Sequence, residues 1–260
     1  MFNKILKNKY LNIGHPVNMR IFSFILLLAV WQITSFLIKS DVLPSPKTVS
    51  IIFINEMING DMLYHLGITL WRVILAFTIA MLVGTGLGIA MGSKKNVNIM
   101  LDGWHILLLN TPALVIIILC YVWFGLNEIA AISAVALNKI PNVLVTIREG
   151  TRAIDRKILE VADVFKVNYK KKFISFFLPQ LYPFIMAAAR GGISLIWKIV
   201  LVVELLGRSN GIGFKLNEFF NLFDIASIFA YTLSFVAVMI FVEYAIISPI
   251  ERRLNKWRTT

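Results

Sequence analysis

Charge is what this chain lacks most. Only 15% of its 260 residues are Asp, Glu, Lys or Arg, where an ordinary soluble domain carries about a quarter. So thin a charged shell argues against a water-soluble globule of this length. Cysteine is nearly absent too. Cys120 stands alone in an apolar run, which excludes a disulfide framework or a thiolate metal site within one chain. The three histidines, His15, His65 and His105, are dispersed without metal-ligand spacing, so no metal site is expected. No G-x-x-x-x-G-K-[ST] occurs, and no H-E-x-x-H or G-x-S-x-G. The chain therefore offers no ATP-binding motif of its own and no common hydrolase signature. A membrane-embedded enzyme remains an alternative reading, but clustered intramembrane acids are missing. A secondary transporter without an ATPase partner is another, but two related halves are not apparent.

What is present is apolar. Hydrophobic residues make up 58% of the chain and the mean hydropathy is +0.77. Runs near bilayer-spanning length recur, which predicts an all-α polytopic membrane protein in one domain over 1–260. Its parts are an N-terminal tail, first span and outer connection (1–66), a core (67–250) and a short tail (251–260). The expected spans are 21–38, 67–92, 104–124, 128–147, 183–206 and 228–249. Residues 21–38 read as a retained helix, because no small-residue cleavage site follows them. Pro112 and Pro141 interrupt the third and fourth spans, since a proline there frees a carbonyl that must find another partner. Gly84, Gly88 and Gly92 recur every four residues inside an apolar run, which predicts close helix packing rather than a nucleotide loop.

Positive charge then orients the spans. With the N-terminus inside, eighteen of the 26 Lys and Arg residues fall in inside segments, four outside and four within spans. Both termini are expected to be cytoplasmic. So is the longest inside segment, Arg148 to Tyr182.

That segment is patterned. Ile158, Leu159, Ala162 and Phe165 recur at helical spacing, Asp155 can cap the helix start, and Arg156 and Glu160 stand four apart, where they can pair. A lysine cluster, Lys170 to Lys172, follows. Periodicity alone leaves two readings open. The helix either lies on the membrane surface, anchored by lysines to anionic lipid, or docks a cytoplasmic protein.

Charges inside the spans need partners or a wet cavity, at about 2.5–3.5 kcal/mol each on insertion scales. Arg72 lies near the outer end of its span and is expected to snorkel. Lys198 and Glu204 are six apart and cannot pair within one helix. Glu243 could be the partner of Lys198. If Arg190 and Lys198 line a pathway instead, they favour an anion.

The segment Glu160-Val161-Ala162, followed at motif spacing by Lys166 and Phe176-Phe177-Leu178-Pro179, resembles the cytoplasmic loop of ABC-importer permeases. Their pattern is Glu-Ala-Ala, three residues, Gly, nine residues, Ile-x-Leu-Pro. Lys166 stands where the family has Gly. A glycine there permits positive φ or close approach, and lysine resists both. Leu43-Pro44-Ser45-Pro46, Thr69-Leu70-Trp71-Arg72-Val73, Asn110-Thr111-Pro112, Trp123-Phe124-Gly125-Leu126, Ala189-Arg190, Val203-Glu204-Leu205-Leu206-Gly207, Gly211-Ile212-Gly213 and Glu251-Arg252-Arg253 with Trp257 are similar, in order, to the nitrate, sulfonate and taurine branch.

This resemblance implies a transport subunit that does not hydrolyse ATP, with the type I importer fold, in a bacterial inner membrane. It implies cytoplasmic ATP-binding subunits that hold the ATP, a second permease copy, an extracytoplasmic substrate-binding protein and a small anionic substrate. No cofactor is expected in this chain, and no nucleic acid partner. Glu160, Ala162, Asp163, Lys166, Leu178 and Pro179 would couple to the ATPase. Arg190, Lys198 and Glu204 are the candidate pathway residues.

Overall fold

A computed structural model describes residues 16–38, 40 and 42–249. The basic residues Lys4, Lys7, Lys9 and Lys39, His15 and the motif at 251–257 lie outside the described residues. Everything regular among the described residues is helical. In chain order the helices are α1 (Pro16–Ile38), α2 (Pro46–Ile58), α3 (Met62–Ser93), α4 (Lys95–Asn110), α5 (Ala113–Phe124), α6 (Glu128–Arg152), α7 (Arg156–Val164), α8 (Tyr169–Lys172), α9 (Leu178–Gly207), α10 (Ile212–Asn221) and α11 (Ile225–Val242). Two π turns, Phe173–Phe177 and Glu243–Ile247, extend α9 and α11.

Five helical stretches are long and apolar enough to cross a membrane: 21–38, Met62–Ser93, Glu128–Arg152, Tyr169–Gly207 and Ile225–Ala245. The third expected span, 104–124, is broken. α4 and α5 meet at a 100° bend. They still carry the chain from one end of the bundle to the other. Asp102 and Asn98 on α4 bond Arg148 and Arg152 near the end of α6. The Leu126 carbonyl, just past α5, accepts from Arg208 at the opposite end. The end that carries α7 is the loop end of the bundle, and the opposite one the far end.

Proline breaks the chain at one expected place and not at the other. Thr111, before Pro112, is pushed to an extended conformation (ψ 126°), and α4 stops there. Pro141 stays inside an unbroken α6, buried. Packing overrides the lost hydrogen bond, because α6 is the central helix, set against α3, α9 and α5. α2 and α10 were not expected as helices. α2 forms because Ser45 caps it, its Oγ accepting from Thr48 N at 3.1 Å, with Pro46 pre-set in the first turn. The Leu-Pro-Ser-Pro stretch is tied to α1 by Trp31 Nε1 donating to the Pro44 carbonyl and Ser35 Oγ donating to that of Leu43.

α3 and α6 run parallel in one fixed register. A methyl at Gly84 would stand 2.7 Å from Val143 Cβ, at Gly88 2.7 Å from Ile147 Cβ, and at Gly92 2.5 Å from Thr151 Cβ. The offset is the same at each step, so the backbones touch along three turns and a larger side chain would part them. Ala76 and Ala80, both wholly buried, extend the stripe toward the far end. The main core lies beyond it, with the rings of Trp197 of α9 and Phe235 of α11 nearly perpendicular, centroids 4.9 Å apart.

Candidate functional site

The segment between α6 and α9 forms the expected short helix. Asp155 caps α7, its carboxylate accepting from Lys157 N at 2.9 Å. Of the anticipated apolar stripe, only Ala162 is buried and Leu159 half-buried. Ile158, Val161, Val164 and Phe165 face outward, and Phe165 is 77% exposed. Glu160 is exposed as well. It lines a groove of about 340 Å³ together with Arg156, Asp163, Leu159, Phe177 and the Gly92–Ser93 end of α3. Arg156 and Glu160 form no ion pair among the described residues. Asp163 is the bound acid instead, held by Lys172 Nζ at 2.6 Å.

Lys166 adopts φ 51°, the left-handed conformation that favours glycine. Its N–H donates to the Asp163 carbonyl at 2.9 Å, and that of Val167 to the Ala162 carbonyl at 3.0 Å. These two bonds are the Schellman ending of a helix. The turn in doubt at the sequence level therefore forms with lysine in the glycine's place, at a cost of about 1–2 kcal/mol.

Leu178-Pro179 has an equally local explanation. Pro179 lacks an N–H and its ring would crowd the carbonyl four residues back. The wide π turn ends immediately before it, with Leu178 N–H donating to the Phe173 carbonyl. Gln180 clamps the assembly, since its Nε2 donates to the Phe176 carbonyl at 2.9 Å while its Oε1 accepts from Asp155 N at 3.0 Å. The loop helix is thus fastened to the base of α9.

The charged residues of the spans are arranged differently from expectation. Arg72 does not snorkel, being 1% exposed. It forks onto Glu128 (Nε–Oε2 2.9 Å, Nη2–Oε1 2.6 Å), reaches Glu204 Oε1 at 2.7 Å, and donates to the backbone and side chain of Asn210. Arg208 adds a second arginine on Glu128 at 2.5 Å. The reason is stoichiometric. Two acids converge at the far end, and a buried arginine with five donors satisfies both.

Glu204 does not face a passage. It is wholly enclosed and sits on the N-terminus of α10, where the backbone N–H of Gly213 donates to it at 2.8 Å and the Thr69 hydroxyl lies 2.9 Å from both oxygens. Ile212 N donates to Thr69 Oγ1 at 2.8 Å and Gly211 N to His65 Nδ1 at 2.9 Å. Three successive amides at a helix start thus meet three acceptors, the arrangement that welcomes an anion. A methyl at Gly211 (φ 105°) would collide with the Glu204 carboxyl, and one at Gly213 with the Leu201 carbonyl. Those contacts explain the Gly-Ile-Gly stretch. His65, Thr69 and Arg72 share one helical face three and four residues apart, a signal the sequence reading passed over.

Glu243 pairs with Arg190 at 2.7 Å, not with Lys198. Lys198 is exposed on α9 and has no ion pair among the described residues. Lys139 of α6, which the sequence reading left aside, is buried to 4% exposure, its Cε 3.1 Å from where a Gly192 Cβ would stand.

Fold and site together define a helical membrane protein whose loop helix joins α6 to α9. Residues 81–256 match the family described as binding-protein-dependent transport system inner membrane component, and the chain belongs to that family. It is an ABC-importer permease of the nitrate, sulfonate and taurine branch. A Bacillus subtilis (strain 168) protein named as an aliphatic sulfonates transport permease, SsuC, is 28% identical over 90% of this chain and 85% of its own length. Its Escherichia coli (strain K12) namesake is 33% identical, over 72% of each chain. The taurine transport system permease TauC of Escherichia coli is 25% identical over 94% and 91%. A crystal structure of an amino acid ABC transporter with histidines shares the fold, with a TM-score of 0.59 over 74% of this chain and 93% of that one, at 23% identity.

Proposed function

We propose that the chain is the membrane-spanning subunit of an ATP-driven importer of a small organic or inorganic oxyanion, with a sulfonate the leading substrate. Two permease subunits, identical or paired with a second chain, form the passage. Two cytoplasmic ATPase subunits bind ATP. An extracytoplasmic binding protein delivers the substrate. The relatives named for aliphatic sulfonates and taurine support the substrate class. The bias of basic residues supports a cytoplasmic loop end and cytoplasmic termini in a bacterial inner membrane.

One observation carries the coupling role. α7 turns Ile158, Val161, Val164 and Phe165 outward beside an exposed Glu160, while Asp155, Asp163, Gln180 and Lys172 fasten it to the base of α9. An apolar face left bare on a helix so firmly held suits a protein partner. In this reading Glu160 and Asp163 set register on the ATPase, Ala162 and the Lys166 turn shape the helix, and Leu178-Pro179 joins it to the span. ATP-driven closure of the ATPase pair draws the two loops together and reverses the passage. Arg190 and Lys198 are assigned to the passage, where positive charge favours an anion.

Glu160→Lys tests this. Membrane insertion and abundance should be unchanged, while ATP-dependent uptake of ethanesulfonate, taurine or nitrate falls about ten-fold or more, or the ATPase no longer co-purifies. Normal uptake with a normally bound ATPase refutes the coupling role.

A further inference from the structure

Lys139 is the one described cation in the middle of the bundle that is both buried and without a protein counter-charge. It lies eleven residues into the 25-residue α6, about 16 Å along the helix axis. That depth is too great for the side chain to snorkel. Burial to 4% exposure keeps it from lipid. Among the described residues no carboxylate, carbonyl or hydroxyl bonds its ammonium. The other buried basic residue of the spans, Arg72, has two carboxylates and an asparagine. Arg190 has Glu243. A lysine so placed is costly, and native interiors leave such a group unmatched chiefly where something else is to bind.

Its surroundings are shaped to make room. A Cβ at Gly192 of α9 would stand 3.1 Å from Lys139 Cε and 3.4 Å from the Phe77 ring of α3, so the glycine leaves the lysine its space. The adjoining Gly191 is exposed, and a methyl there would meet no atom within 4 Å. The end of the Lys139 stem thus lies against the bare backbone of α9 at Gly192, next to the exposed Gly191. On the same helix, two turns further toward the far end, stands Lys198, also without an ion pair among the described residues.

We propose that Lys139 is an anion-binding residue inside the membrane, its ammonium donating to an oxygen of the transported oxyanion as it passes the Gly191-Gly192 stretch. The inference rests on the importer reading above and goes beyond it by naming the contact and its chemistry. An ammonium has three donors and no acceptor. The ligand must bring negative oxygen, as a sulfonate or nitrate does, and lacks any need of a cation of its own.

Binding and folding make opposite demands on this residue, which gives the test its discrimination. The complete transporter, with its ATPase and binding protein, is assayed as Lys139→Met and Lys139→Gln for uptake of ethanesulfonate, taurine and nitrate. Thermal unfolding of each purified complex is followed alongside. Maximal uptake should fall about ten-fold or more with half-saturation unchanged, because the binding protein sets the latter. The unfolding temperature should hold or rise, since an unmatched buried charge has been removed. Wild-type uptake in either variant overturns the proposal. So does a lowered unfolding temperature, which would make Lys139 a part of the scaffold. If the wild-type complex moves none of the three anions with ATP, the importer reading itself has failed.

Discussion

The seam between α3 and α6 makes a sharp demand on single methyl groups. At Gly88 a new Cβ would stand 2.7 Å from Ile147 Cβ and 2.9 Å from the Leu144 carbonyl oxygen. Neither neighbour can rotate away, because one is a branch point and the other backbone. Ordinary contact begins near 3.4 Å, so the two helices must separate by something under an ångström. The register is shared with Gly84 and Gly92, so a shift at one position loosens the contacts at the others. Overpacking of this kind costs about 1–3 kcal/mol. At Gly86, two residues away on the opposite face, the same methyl meets nothing within 4 Å. There alanine should gain up to about 1 kcal/mol of helix propensity. The two substitutions are chemically identical, and the structure separates them by about 2 kcal/mol, or about 4–8 °C in midpoint for a chain of this size. Thermal unfolding of the purified protein in one detergent reads the difference directly. Equal midpoints for Gly86→Ala and Gly88→Ala would refute the parallel register and the close approach derived from it.

Two further outcomes follow from the far-end cluster and the loop turn. Arg72→Met leaves Glu204 enclosed and uncompensated, and should destabilise by about 3–5 kcal/mol, whereas adding Glu204→Gln should recover part of that loss. A chemical-denaturation double-mutant cycle measures the coupling, and additive losses would dissolve the pair. Lys166→Gly should remove the left-handed strain and stabilise the end of α7 by about 1 kcal/mol. Slower hydrogen exchange at the amides of positions 166 and 167 is the expected readout, and faster exchange would show that the turn does not prefer glycine.

Much of the architecture could be read from apolar run length. Five of the six expected spans appear as continuous helices, and the third is split into two by a 100° bend at Thr111-Pro112. Hydropathy has no term for direction, so it could not distinguish Pro112, which turns the chain by 100°, from Pro141, which leaves α6 intact. The glycine stripe was legible because its period matches a helix face. The loop helix and its Asp155 cap were legible for the same local reasons. The charges were not. Arg72, Glu128, Glu204 and Asn210 come from separate parts of the chain and meet only through tertiary packing. Local reasoning placed Arg72 at a membrane edge, and it proved to be the centre of a buried ion cluster. Lys139 escaped notice for a related reason. Its environment depends on Gly192, on a helix about fifty residues away.

The stretch from Tyr169 to Gly207 is one continuous helical run of 39 residues, about 58 Å from tip to tip. Its lower tip is pinned to α7 through Gln180 and Lys172, and its upper tip is riveted through Glu204 to the start of α10. Leverage follows from the proportions alone. A tilt of about 5° about either tip sweeps the other through roughly 5 Å, about the width of a small oxyanion.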